Sequence, residues 1–499
     1  MEDKTKMHVF IRAASPWLDS HLKALIQRHV PSSIFYDDFS DFPLDASVVF
    51  HFCDGWELNR NFAVVSAADR ALINAYPNSD ALARKNYLAR VVEHWTAKNP
   101  QSILKTHAPP TVRLSLDYAE YVDDALTAAD DLSLLCSLEE NESRPAEERE
   151  WWILKPALVD CGAGIRLFST MEELASHLEL AEDEVEDEDE ESEEEPAAER
   201  DVVARLTTAD KMPVDGSEFS PTLATPGLDS LDGLFTAIGG NKANHNPPPP
   251  PPPPSAAVTR APKKQPYVFK EGGRIPSSEM REFVAQRYIT SITPLENRKW
   301  HIRAYVLSIG RLKVHVFREM LALLALEDYA PPWRNPSLGS SLTNTALQDE
   351  EDFVRRGSMR DFWATPDDLL PGKRWKEHVF DQICEVSAEL FRGAVHTMAD
   401  RFTTLDKCFE LFGVDFLVGA DGTAWLLEVN ETPAFYEQGV AGPIALRLME
   451  SVILIAMEHM GMVEPGDERN GEARKRMVEV LDETNRLAKS NITEITAGD

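Results

Sequence analysis

Eight consecutive prolines, Pro247 to Pro254, divide what this chain can fold into. Their φ angles are locked and they carry no backbone N–H, so the run forms a polyproline II rod and is barred from any sheet or helix core. It lies within a longer stretch of anomalous composition. Glu182 to Glu195 holds twelve acids and no base, and strand-like sequence resumes only at about Tyr267. Self-repelling charge with few aromatics predicts a disordered insertion over Glu182 to Lys264. The prolines alone suggest a profilin-, SH3- or WW-type ligand, so a polyproline-binding partner is a candidate. Any folded core must be assembled from the blocks on either side.

Those blocks are large enough. The chain has 499 residues, 43% hydrophobic and 27% charged, which suits two or three domains. Its formal charge of −33 opposes non-specific binding to nucleic acid or anionic membrane, since both need a basic face to displace counterions. No apolar run approaches the length of a spanning helix, and Met1-Glu2-Asp3-Lys4 lacks the plan of a signal peptide. Five scattered cysteines without a C-x-x-C spacing indicate neither a disulfide framework nor zinc. The expectation is a cytoplasmic protein.

Met7 to Ile11, Val48 to Phe52 and Trp151 to Leu154 read as strands, with helical spacing at Leu18, Leu22, Leu25 and Ile26. Ala67 to Trp95 reads as helical, broken at Tyr76-Pro77-Asn78, and Ile103-Leu104 as a strand. Beyond the insertion, strands are expected at Phe283 to Ile289, Ile302 to Ser308 and Leu312 to Phe317, with helices at Val379 to Met398 and Pro443 to Met460. The segment from Gly466 onward carries little core and is expected to lie outside the main body.

The strongest chemical signal is a hairpin: Phe412 to Val418, the turn Gly419-Ala420-Asp421-Gly422, then Ala424 to Asn430. If Val418 pairs with Thr423, Asp415 stands opposite Leu426 and Glu428 opposite Gly413, leaving space beside Glu428. Period-two alternation then puts Asp415, Glu428 and Asn430 on one face. Three oxygen ligands suit a hard ion such as Mg²⁺, although a solvent-facing hairpin would show the same alternation.

Lys407 to Leu417 together with Trp425 to Asn430 resembles the metal-binding signature of the tubulin-tyrosine-ligase family, an ATP-grasp branch. The resemblance makes Asp415, Glu428 and Asn430 the magnesium ligands. Trp152 to Pro156 followed by Gly162-Ala163-Gly164 is similar to the family's lysine and glycine loop, implying ATP contacts from Lys155, Gly162 and Gly164; Asp160, Cys161 and Ala163 stand where the family is usually basic. Gln286-Arg287-Tyr288-Ile289 resembles its adenine-holding hinge. Arg298 to Leu307 resembles the block in which Lys299 contacts nucleotide and Arg303 faces the reacting groups, with His301 where the family has an acid. Val316 to Glu319 resembles the strand of a second arginine, Arg318, expected to converge with Arg303 on γ-phosphate and a substrate carboxylate. Ser341 to Thr345 resembles an L-T-N motif placing Asn344 near the phosphates.

The implied fold is α/β (α+β): an ATP-grasp with an N-terminal α/β domain (1–65), a central domain (66–295) interrupted by the insertion at 182–264, a catalytic domain (296–465) and a helical or disordered tail (466–499). Nucleotide would lie between central and C-terminal sheets of mixed or antiparallel strands. The implied activity is ATP- and magnesium-dependent amide formation between an amino acid and a protein carboxylate through an acyl phosphate, with tubulin a candidate acceptor. The residue departures leave open a nucleotide-binding scaffold in a cytoplasmic, processing-body assembly.

Overall fold

A computed structural model describes residues 6–484 except 14, 54, 117–120, 130, 159–163, 177–280, 336 and 344–356. The acid run, the prolines, Gly162 and Asn344 therefore lie outside the described residues. Fifteen strands are described. In chain order they are β1 (His8–Arg12), β2 (Ile34–Tyr36), β3 (Val48–Cys53), β4 (Arg70–Asn74), β5 (Thr111–Ser115), β6 (Trp152–Pro156), β7 (Arg166–Phe168) and β8 (Glu282–Arg287). Then come β9 (Arg298–Ile309), β10 (Lys313–Phe317), β11 (Leu321–Asp328), β12 (Met359–Asp361), β13 (Cys408–Val418), β14 (Ala424–Asn430) and β15 (Met477–Asp482).

Eleven of them form one sheet, ordered β12-β11-β9-β13-β4-β3-β1-β2, with β10 and β14 on the flanks of β9 and β13 and β15 on β10. The N-terminal strands are parallel, and β3 (VVFHFC) is buried at every position. A parallel strand covered on both faces shows a continuous apolar run rather than alternation. The helix Pro16–His29 and the helix Ala441–His459 cover one face of this sheet, while Lys85–Lys98 and Trp375–Thr397 cover the other. A second, antiparallel sheet runs β5-β8-β6-β7 and packs its own core of Trp152, Leu154, Phe168 and Phe283 against short helices.

Three local expectations are corrected. Arg70–Asn74, read as helical, is β4: its central Ala71, Leu72 and Ile73 are buried in the parallel sheet, where no alternation marks a strand. The strand expected at Ile103-Leu104 is a helical turn, Leu104–His107, and the strand lies past the two prolines at Thr111–Ser115. Residues 467–484 do not stand apart. Met477 is buried in the core on one face of the large sheet and Leu481 in the core on the other, and β15 pairs antiparallel with β10.

The loop leading into the helix Ala441–His459 approaches so closely that a Cβ on Gly442 would overlap the Glu437 carbonyl oxygen. Gly442→Ala is expected to cost about 1–3 kcal/mol, the usual penalty of overpacking against backbone. Urea unfolding of the variant beside wild type checks it.

Candidate active site between two sheets

Cavity walls come from both sheets. Ile153, Lys155 and Gln286 project from the small sheet, Lys299, His301, Arg303 and Tyr305 from one face of β9, and Asp415 from β13, around about 540 Å³. That is within the range of small-molecule sites. The apolar end, with Ile153, Ile165, Tyr288 and Leu342, offers a slot for a flat base. The polar end holds Asp415, Glu428 and Asn430.

The hairpin register departs from expectation. Val418 pairs with Ala424 and Phe416 with Leu426; a bulge then intervenes, so Asp415 stands directly opposite Glu428 and Gly413 opposite Asn430. Without that extra residue Glu428 would fall on the other face of the sheet. The bulge therefore brings the two carboxylates together. The room at Gly413 is not beside Glu428: an added Cβ would come within 3.0 Å of Arg303 Cδ and of Pro433 Cβ. Gly413 is the slot through which Arg303 passes.

Arg303 grips Asp415 with two parallel bonds, Nε to Oδ1 at 2.5 Å and Nη2 to Oδ2 at 3.0 Å. Asn430 Nδ2 lies 3.4 Å from Oδ2. Burial would raise the Asp415 pKa, but Arg303 and His301 hold its carboxyl well below the usual carboxylate range. His301 bonds Thr343 Oγ1 through Nδ1, and its buried Nε2 is 3.6 Å from Asp415 Oδ1 with no hydrogen-bond partner.

Two buried lysines face this cluster. Lys155 Nζ donates to Gln286 Oε1 at 2.8 Å, and Lys299 Nζ sits 3.7 Å from the centre of the Tyr288 ring. Neither makes an ion pair among the described residues. Burial brings the Lys155 ammonium down to about 8, with Glu428 and Asp415 opposing, and burial also lowers Lys299, helped by Lys155. Two cations desolvated together are costly until an anion arrives.

Not every expected residue joins. Arg318 shares the phase of Val316 on β10, opposite in face to Arg303, and stacks over Trp363 and Phe380 at 4.6 and 5.0 Å. The two arginines thus lie on opposite faces of one sheet and do not converge. Arg287 lines the cavity, but its side chain is spent on an ion pair with Glu150. Ile289 lies on the wall; Gly164, at φ 69°, does not line it and turns the chain into β7.

Arg84 and Lys85 also line the cavity without having been read as site residues. A signal existed. Lys85 opens the helix Lys85–Lys98, where no acid occupies the first turn and the dipole disfavours a cation. Bases at that end are a local rule broken, which favours a site. Thr343 and Glu431 were likewise missed, being ordinary polar residues in loops.

Behind Glu431, the carboxyl of Glu410 is buried. It accepts from Ser79 Oγ at 2.9 Å and from the Tyr76 N–H at 3.2 Å, and burial pushes it up to about 8. The native state then keeps a proton that the unfolded chain loses, so stability falls as pH rises from about 4.5 to about 8. Glu410→Gln is expected to flatten that slope and raise the urea midpoint at pH 8.

Residues 65–198 and 260–469 match the model of the tubulin-tyrosine ligase family. The chain belongs to the tubulin-tyrosine ligase family. A probable tubulin–tyrosine ligase of Schizosaccharomyces pombe is 36% identical over 366 residues, 73% of this chain and 72% of the relative. The Saccharomyces cerevisiae probable tubulin–tyrosine ligase PBY1 is 30% identical over 78% of this chain, but only 43% of that relative's length is spanned. The fold is an ATP-grasp: the C-terminal domain of Kluyveromyces lactis Pby1, an ATP-grasp enzyme interacting with the mRNA decapping enzyme Dcp2, superposes with a TM-score of 0.57 at 22% identity, covering 95% of this chain and 99% of that one. An ATP-grasp fold implies ATP binding. No described helix is long and apolar enough to cross a membrane.

Proposed function

We propose that the chain is an ATP- and magnesium-dependent ligase that joins an amino acid to a protein carboxylate. The observation that carries this reading is the pairing, in one cavity, of two buried lysines that make no ion pair among the described residues with a face of oxygen ligands. A polyphosphate answers the first and a magnesium ion the second. Asp415, Glu428 and Asn430 fit magnesium by donor chemistry, being two carboxylates and an amide that leave positions for phosphate and water. Among the described residues no cluster of three or more Asp, Glu, His or Cys would hold an ion without such help. Magnesium, when bound, would offset charge on the phosphates.

The chain's own groups do the positioning. The apolar slot beside Tyr288 takes the base, Lys155 and Lys299 take phosphate oxygens, and Arg303 orients the carboxylate whose oxygen displaces ADP from the γ-phosphate. An amine then takes the acyl group, releasing phosphate and a proton. A second cavity, about 690 Å³, meets the first at Lys85, Lys155, Gln286 and Leu427 and gives the acceptor a route to it. Tubulin is one candidate acceptor. Cytoplasmic residence, with an interaction with an mRNA decapping enzyme like that of Pby1 with Dcp2, is part of the same proposal.

A second reading is a nucleotide-binding scaffold. Arg318 faces away and His301 replaces an acid, so Arg303 lacks the second arginine that was expected to converge with it. Calorimetry with Mg·ATP, followed by an amino-acid screen for ADP release, separates the two. Release supports the ligase; binding without release supports the scaffold.

A further inference from the structure

Asp415 is both a proposed metal ligand and, as the chain stands, an acceptor engaged on both of its oxygens. Each of its oxygens takes a guanidinium N–H from Arg303, and Asn430 lies close to the second. Gly413 is empty of side chain so that Arg303 can reach this position. The carboxylate is 4% exposed, but the Arg303 side chain keeps 17% of its surface, turned toward the cavity. One partner is fixed; the other has somewhere to go.

We infer that Arg303 is the resident counter-ion of Asp415 and bars a bare divalent cation from the site until a nucleotide phosphate offers Arg303 another partner. This rests on Asp415 and Glu428 being metal ligands. A bidentate guanidinium–carboxylate pair satisfies both oxygens in a fixed geometry, so a cation must displace it and leave a partly buried guanidinium without an anion. A phosphate relieves that cost, because guanidinium forks match phosphate as well as carboxylate. Metal alone pays the exchange; metal with nucleotide does not. The order of loading is thereby set by one side chain that belongs to neither ligand.

Mn²⁺, followed by electron paramagnetic resonance without nucleotide, tests this on the full chain. The quantity read is the binding component abolished by Asp415→Asn, which removes surface sites from the comparison. Wild type is expected to show no such component, and Arg303→Gln to gain one at least tenfold tighter than any in wild type. Arg303→Lys, which keeps the charge but cannot hold both oxygens, should fall between and serves where Arg303→Gln is unstable. Equal Mn²⁺ affinity in wild type and either variant overturns the inference. Calorimetry of wild type and Glu428→Gln with Mn²⁺ and a non-hydrolysable ATP analogue separates the two failures: equal affinity there sinks the metal site itself, whatever Arg303 does.

Discussion

Asp415→Asn is expected to abolish magnesium-dependent ATP turnover and to destabilise the fold, whereas Glu428→Gln abolishes turnover alone. Asp415 is buried and holds Arg303 through two bonds; neutralising it strands a guanidinium that retains little solvent. Breaking a buried pair from one side costs about 3–5 kcal/mol. Glu428 is half-buried and makes no ion pair among the described residues, so its amide should lie within about 0.5 kcal/mol of wild type. Urea unfolding and ADP release, measured on both variants, give the four numbers. Glu428→Gln turning over at the wild-type rate would falsify the metal assignment.

Lys155→Met and Lys299→Met should move affinity and stability in opposite directions. Each removes a phosphate partner, and nucleotide affinity is expected to fall on the order of a hundredfold, in keeping with about 2–5 kcal/mol for truncating one side of a desolvated charge pair. Each also removes an ammonium that burial has made costly, so the nucleotide-free protein should melt higher at pH 7. The pH dependence has a definite sign for Lys155. Its pKa drops from 10.5 to about 8 on folding, so the penalty is complete below pH 8 and disappears as pH rises to 10.5. Wild type should therefore gain stability across that interval relative to Lys155→Met. Melting curves at pH 7, 8, 9 and 10 without nucleotide show whether it does.

Asp415, Glu428 and Asn430 were legible in the sequence as to face but not as to register. Period-two alternation places them together only if the strands pair without interruption from an assumed turn, and the true turn differs by one residue. The bulge restored the phase, and nothing in Leu426-Leu427-Glu428 announces a bulge. Lys155, Lys299 and His301 were reached through likeness to the family's blocks rather than through strand phase, and β6 and β9 carry all three to the cavity wall. Arg318 shows the limit of likeness by block: it sits one strand from Arg303, yet the same alternation that gathers Lys299, His301 and Arg303 sends it to the far side of the sheet. Strand β4 was missed for a different reason. Double-sided burial removes the polar alternation by which a strand is recognised, and short apolar runs then look helical beside a helix.

The parallel pairing of Ile73 with Cys408 joins chain segments that leave the ribosome far apart in time. At about 5–20 residues per second, the edge of β4 waits roughly 20–70 s for β13 to emerge. During that interval Arg70–Asn74 presents unpaired N–H and C=O groups on an apolar strand, a template for any other nascent edge. Yield in cells should then depend on translation speed and on chaperones that mask that edge, independently of how stable the finished protein is.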